Sequence, residues 1–172
     1  GVPKLLIGLS PEHEFCVLEL AMRGPGEIKY LSDICQPHVG IVTNVGDAHV
    51  GRLGSREAIA KTKAELITSL PADGVAVLNA DDFFFGLMGQ MAPCPVGSFG
   101  SGEAPTDVVF HVQYRDVRAT GVEPARFELC IGEEKRRVRL QIPGAHNVSN
   151  AAAAAAAAHA VGISLSEIAA GL

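Results

Sequence analysis

The chain has 172 residues, 48% of them hydrophobic and 19% charged, with 14 Lys and Arg against 19 Asp and Glu for a formal net charge of −5. That is enough chain for one domain with a real core and too apolar a chain for general disorder. The mild acidity argues against a surface built mainly to hold nucleic acid or an anionic membrane.

The first two thirds alternate between short apolar runs and amphipathic stretches. Residues 15–20 (FCVLEL) read as a strand, apolar on both faces. Gly24-Pro25-Gly26 leads into a helix over Glu27–Cys35, with Ile28, Leu31 and Ile34 at helical spacing. Residues 39–45 (VGIVTNV) form a second buried strand. Ser55 caps a helix running to Leu70, with Glu57 well placed near its positive end. Residues 74–78 (GVAVL) give a third strand, and residues 82–91 a helix. Strands that are apolar on both faces and separated by helices imply a parallel sheet covered on both sides, a doubly wound α/β layer.

From about Thr106 to Ile142 the texture changes. VVFHVQY, ARFELCI and RRVRLQI alternate or nearly so, with turns at Gly121 and Gly132-Glu133, as expected of a small antiparallel sheet appended to the parallel one. Pro143-Gly144 breaks the chain before a helix over residues 147–161. Its run of eight alanines, Ala151 to Ala158, suits close packing on a sheet. Gly162 ends that helix, and Ser164 with Glu167 forms a capping box opening a last one.

No apolar run reaches the roughly 18 residues of a membrane span, and no basic leader precedes one, so a soluble cytoplasmic domain without membrane insertion is expected. Cys16, Cys35, Cys94 and Cys130 show no metal-ligand spacing; three sit within or beside apolar runs, and buried free thiols are expected. The chain opens at Gly1-Val2-Pro3 without an initiator Met and closes just after a helical pattern, which reads as a segment of a longer protein.

Ligands of a parallel sheet collect beyond the carboxyl ends of its strands, and unusual polar groups stand there. Glu19 comes late in an apolar run, where a carboxylate needs a cation: either Arg23 or Lys29, or a Mg²⁺ ion. Asp47 and His49 lie on the Gly-containing loop NVGDAH, placed to serve a metal or a phosphate, or for Asp47 simply to cap. Glu57, Lys61 and Glu65 recur every four residues as a salt-bridged solvent face. Lys63 lies instead beside the apolar face, spaced by threes and fours from Ile59, Leu66 and Ile67, so it either snorkels, loses its charge or works in the site. His146, Asn147 and Asn150 crowd the start of the Ala-rich helix, where a planar heterocycle could be hydrogen-bonded; Asn147 as a plain N-cap is the alternative. No Gly-rich phosphate loop and no catalytic triad stand out.

The segments LELAMRGPGEIKYLSDICQP, VGIVTNVGDAHVGRLGSREAIAKTKAELI, GVAVLNADD and IPGAHNVSNAAAAAA together resemble the central, ATP-binding domain of the Mur ligase family. They follow the family's order and cover nearly the whole chain. The GPGEI and GDAH…KTKAEL blocks point to the branch that adds D-Ala-D-Ala to UDP-N-acetylmuramoyl-tripeptide. The HNxxN block is shared across the family.

The resemblance implies that ATP phosphorylates a peptide carboxylate, an amine attacks the acyl phosphate, and phosphate leaves. It places Glu19 and His49 at Mg²⁺ positions, Lys63 at a carbamylated lysine that ligates a second cation, and Asn147 and Asn150, with His146 beside them, around the adenine. Asp81 and Asp82 are compatible with lining the nucleotide or with forming the turn alone. The family's GTxGKT-type phosphate loop and first strand would lie upstream of Gly1, and the substrate-binding N-terminal and C-terminal domains are not in this sequence. The 172 residues alone are therefore expected to be inactive and to bind ATP weakly. The same chemistry fits another Mur ligase or a folylpolyglutamate-synthase-like ligase, and a non-catalytic nucleotide-binding module is the reading from a different class. A monomer is expected.

Overall fold

The computed structural model describes residues 1–46, 50–119 and 123–172. The elements run α1 (Val2–Ile7), α2 (Glu27–Cys35), β1 (Val39–Val42), α3 (Val50–Leu53), α4 (Arg56–Thr68), β2 (Val75–Asn79), α5 (Phe85–Gln90), β3 (Val96–Gly100), β4 (Phe110–Arg118), β5 (Pro124–Ile131), β6 (Glu134–Pro143), α6 (Ala145–Ala160) and α7 (Leu165–Gly171). One sheet holds all six strands in chain order; β1 to β4 are parallel, and β4, β5 and β6 form an antiparallel meander.

The sheet is covered on both sides, and β2 shows why its sequence is apolar throughout. Val77 joins a core with α6 and α7, whereas Ala76 and Leu78 join a core with α2, α4 and α5. The Ala-rich α6 touches all six strands and buries Ala151, Ala152, Ala153, Ala155 and Ala156. Side chains of a single methyl let its backbone lie close to the sheet over that whole width.

The crossover from β3 to β4 spans only residues 101–109 and contains no helix, whereas parallel connections usually need about a dozen residues or more. Side chains hold it instead. Asp81 Oδ2 accepts from Ser101 N at 2.8 Å, and Gln113 Nε2 donates to Gly102 O at 2.8 Å. His111 lies between Ser98 Oγ, 2.8 Å from Nδ1, and Gly102 O, 3.2 Å from Nε2. Burial pushes the His111 pKa down. The neutral ring has one N–H, and because a carbonyl can only accept, the network assigns it to Nε2.

β3 is the strand the sequence hides, since CPVGSFG contains one proline and two glycines. Gly97 is required by packing: a Cβ there would collide with the Phe110 ring. Gly97→Ala is expected to destabilise the domain by about 2–3 kcal/mol by displacing that ring from its edge contact with His159. A urea melt checks this, and an unchanged midpoint would show that the ring moves freely.

Other expectations are corrected. Residues 15–20 form no strand; Phe15 is 58% and Val17 91% exposed. An apolar run becomes a strand only where a sheet edge takes up its backbone groups, and among the described residues none takes these. Glu65 does not extend the solvent-facing pair of Lys61 and Glu57 (2.8 Å). It turns to α2, where its carboxylate accepts from Gly26 N at 2.7 Å and Lys29 N at 3.1 Å. It thereby caps a helix whose own N-cap, Gly26, has no side chain to do so. Of the four free cysteines only Cys130 is buried, and Cys16 is exposed. The turn expected at Gly121 lies outside the described residues. Ser55 does cap α4 through Ala58 N, Gly162 ends α6 with φ +85°, and the Ser164–Glu167 capping box is present.

Candidate functional site

β1 ends at Val42, three residues short of its apolar run, because side chains claim the next backbone groups. Asn79 Nδ2 donates to Thr43 O (2.8 Å) and Lys63 Nζ to Asn44 O (2.6 Å). Asp82 Oδ2 accepts from Val45 N (2.6 Å), and Arg56 Nη2 donates to Val45 O (2.8 Å). Four residues from α4, β2 and the turn after β2 thus fix the segment that leads into Asp47 and His49. The guanidinium of Arg56 lies over the Phe84 ring, 5.8 Å from its centroid, and Asp82 Oδ1 accepts from Phe84 N at 2.9 Å. This side-chain turn also delays the start of α5 to Phe85.

Lys63 is half-buried on α4 and aimed at the strand end, as its helical phase predicts. Burial lowers its pKa, the main effect, while the nearby Asp82 carboxylate pushes it up. As an ammonium it has three donors and no lone pair, so it cannot ligate a cation. As a carbamate it would offer oxygens suited to Mg²⁺, and an amine whose pKa is lowered is the kind that can take up CO₂. The donor set fits the metal only in that form.

The adjacent Asp81 serves the other side of the sheet. Its Oδ2 accepts from Ser101 N (2.8 Å) and from Tyr114 Oη–H (3.1 Å). Burial pushes the Tyr114 pKa up, and Asp81 adds to that shift.

α6 begins at Ala145, not Asn147, and its N-cap is Gly144 with φ +105°. The N-cap reading of Asn147 is thereby corrected: its Nδ2 donates to Pro143 O at 2.7 Å, four residues back. Asn147 and Asn150 together line a cavity of about 350 Å³ with Leu140, Ile142, Ala151 and Leu172. An amide carries both donors and an acceptor, so two amides beside an apolar wall fit the edge and face of a purine. His146 does not join them; its ring folds back over Gly144. A larger opening of about 720 Å³, by Phe110, His159 and Ser164, holds none of the candidate residues.

Glu19 is exposed and, among the described residues, makes no hydrogen bond or ion pair: the Lys29 ammonium pairs with Asp33 instead, and Arg23 meets Glu27 only through its main-chain N–H. His49 lies outside the described residues. Among the described residues no three His, Cys, Asp or Glu gather as a metal site. Sequence reasoning missed the positioning roles of Asn79 and Arg56 and left those of Asp81 and Asp82 open. The polar cluster NADD straight after an apolar strand was the available signal.

The fold defines an α/β domain with a mixed sheet, in which Lys63, Asp82, Asn79 and Arg56 gather at the carboxyl ends of β1 and β2. Residues 1–158 match the family described as the Mur ligase middle domain. The chain belongs to the Mur ligase family. Over all 172 residues it is 37% identical to the UDP-N-acetylmuramoyl-tripeptide–D-alanyl-D-alanine ligase of Synechocystis sp., covering 100% of this chain and 35% of that protein. A crystal structure of MurF from Acinetobacter baumannii superposes with a TM-score of 0.89 at 36% identity, over 99% of this chain and 36% of that one. MurF ligase from Thermotoga maritima, solved in complex with ADP, gives a TM-score of 0.74 at 25% identity, over 89% of this chain and 35% of that one. The chain thus spans about a third of the length of the relatives it matches. Among the described residues no helix is long and apolar enough to cross a membrane.

Proposed function

We propose that residues 1–172 are the ATP-binding middle domain of a cytoplasmic, monomeric ligase that joins D-Ala-D-Ala to UDP-N-acetylmuramoyl-tripeptide, a step in building peptidoglycan precursors. The observation that carries this reading is the likeness, along the entire chain, to ligases of that name. A carboxylate oxygen of the tripeptide takes the γ-phosphoryl group of ATP and ADP leaves. The amine of D-Ala-D-Ala then attacks the acyl carbon, loses a proton, and expels phosphate.

In this reading Asn147 and Asn150 hold the adenine, His146 flanks them, and Glu19, His49 and carbamylated Lys63 hold Mg²⁺. Mg²⁺ when bound supplies the positive charge that lets a triphosphate approach a carboxylate. Asp82, Asn79 and Arg56 would keep residues 43–45 in place at the end of β1. The phosphate loop and the two substrate-binding domains would come from the rest of the protein, and the domain alone would be inactive.

Phosphate release by the full-length protein with Mg²⁺-ATP and UDP-N-acetylmuramoyl-tripeptide tests the proposal, with D-Ala-D-Ala compared against single amino acids. Release that requires the dipeptide is expected. Release with a single amino acid would assign another branch of the family, and none with any acceptor would favour a non-catalytic nucleotide-binding module.

A further inference from the structure

The net charge of −5 conceals a strong segregation. On the outer face of the β4–β5–β6 meander, Arg118, Arg126 and Arg139 stand in one row across three adjacent strands. Arg115, Glu128 and Arg137 form the next row, and Lys135 stands beside Cys130 in the one after. Arg118, Arg126, Lys135, Arg137 and Arg139 are exposed. Glu128 is already taken by Arg115, at 2.6 Å, and Asp116 stands at the rim beside Arg115. Six of the fourteen Lys and Arg thus share one face with two carboxylates, while the rest of the chain carries eight against seventeen.

The opposite face of the same strands packs Ala125, Phe127, Leu129, Val138 and Leu140 against α6 and α7, so the cations are fixed outward by the pleat. Like charges directly opposite one another across strands oppose pairing, and among the described residues no carboxylate lies in the Arg118–Arg126–Arg139 row. An external anion would relieve that repulsion.

The shape of the face selects among anions. It is an open sheet surface, and neither cavity described above is lined by any of the six cations. Phe110, Tyr114 and Phe127 of these strands lie on the α6 side, which leaves this face without an aromatic ring to stack a base. No helix or ribbon projects from it to enter a groove. A flat array of outward cations on an otherwise acidic body matches a flat anionic surface and imposes one orientation on it.

We propose that this face docks the protein peripherally and reversibly on an anionic lipid bilayer through Arg118, Arg126, Lys135, Arg137 and Arg139. The contact is electrostatic, with no inserted segment. It is independent of the ligase chemistry, since none of these residues belongs to the candidate site.

Cosedimentation of the full-length protein with phosphatidylcholine vesicles containing about one third phosphatidylglycerol tests it. Binding at low salt is expected, with none to pure phosphatidylcholine and release by about 0.5 M salt. Arg126→Glu with Arg139→Glu should weaken binding by more than about tenfold. Arg118→Gln with Arg126→Gln, which only neutralises, should weaken it less, and both variants should remain folded and keep the wild-type phosphate release. Binding that ignores the lipid charge, or survives both pairs of substitutions, would overturn the proposal. So would absence of vesicle binding, or tighter salt-sensitive binding to DNA or to a second copy of the protein.

Discussion

Lys63→Ala in the full-length ligase is expected to lower phosphate release by at least about a hundredfold, with partial recovery in acetate or another small carboxylate. The amine lies half-buried at the end of β1, and a methyl group in its place supplies no oxygen. The protonation argument runs in the same direction. Burial lowers the pKa of Lys63, so at a given pH more of it is the neutral amine that reacts with CO₂ than for an exposed lysine of pKa about 10.4. Below its native pKa the buried ammonium costs stability, and that cost recedes as pH rises from the lowered native pKa towards the unfolded value. Loss of activity in the variant without a matching loss of melting temperature at neutral pH is therefore expected. Full activity would remove the lysine from the mechanism, and ¹³CO₂ labelling of the wild-type protein reads the carbamate directly.

The largest effect on folding is expected at Asp82. Its two oxygens each accept a backbone N–H, from Val45, which is 1% exposed, and from Phe84, which is 9% exposed. Asp82→Ala leaves both donors without an acceptor and is expected to cost about 2–4 kcal/mol in a urea melt. Asp82→Asn keeps one acceptor but points an amide N–H₂ at the other donor, so an intermediate loss is expected. Neither variant retains the charge that raises the Lys63 pKa, and amine reactivity at Lys63 should increase in both. An Asp82→Ala protein as stable as the wild type would show that the turn after β2 holds without its side chain.

The elements legible in the sequence are those whose residues carry their own local reasons. α2 was read to the residue, α4 by its Ser55 cap, α7 by its capping box, and the meander by its alternation. What escaped depends on distant partners. Residues 15–20 look like a strand, but pairing is decided by the edge that receives them. β3 goes unread because its Gly97 exists to admit Phe110, thirteen residues later. In the site, Lys63 was legible because helical phase is a local property. Asp81 and Asp82 were not, since adjacent residues after a strand diverge to opposite sides of the sheet, and only the fold shows what each meets. The whole-chain charge likewise averaged away the basic face, which forms only when three strands align.

The breadth of α6 has a consequence for synthesis. Val77, Phe99 and Val112 are completely buried, yet the helix that covers their side of the sheet begins only at Ala145. As the chain leaves the ribosome, more than four fifths of it emerges while that side is bare, which leaves the apolar face of the growing sheet open to aggregation until the alanines arrive. The contacts that close the domain are also long-range in sequence, so the final docking of α6 is the natural slow event in folding.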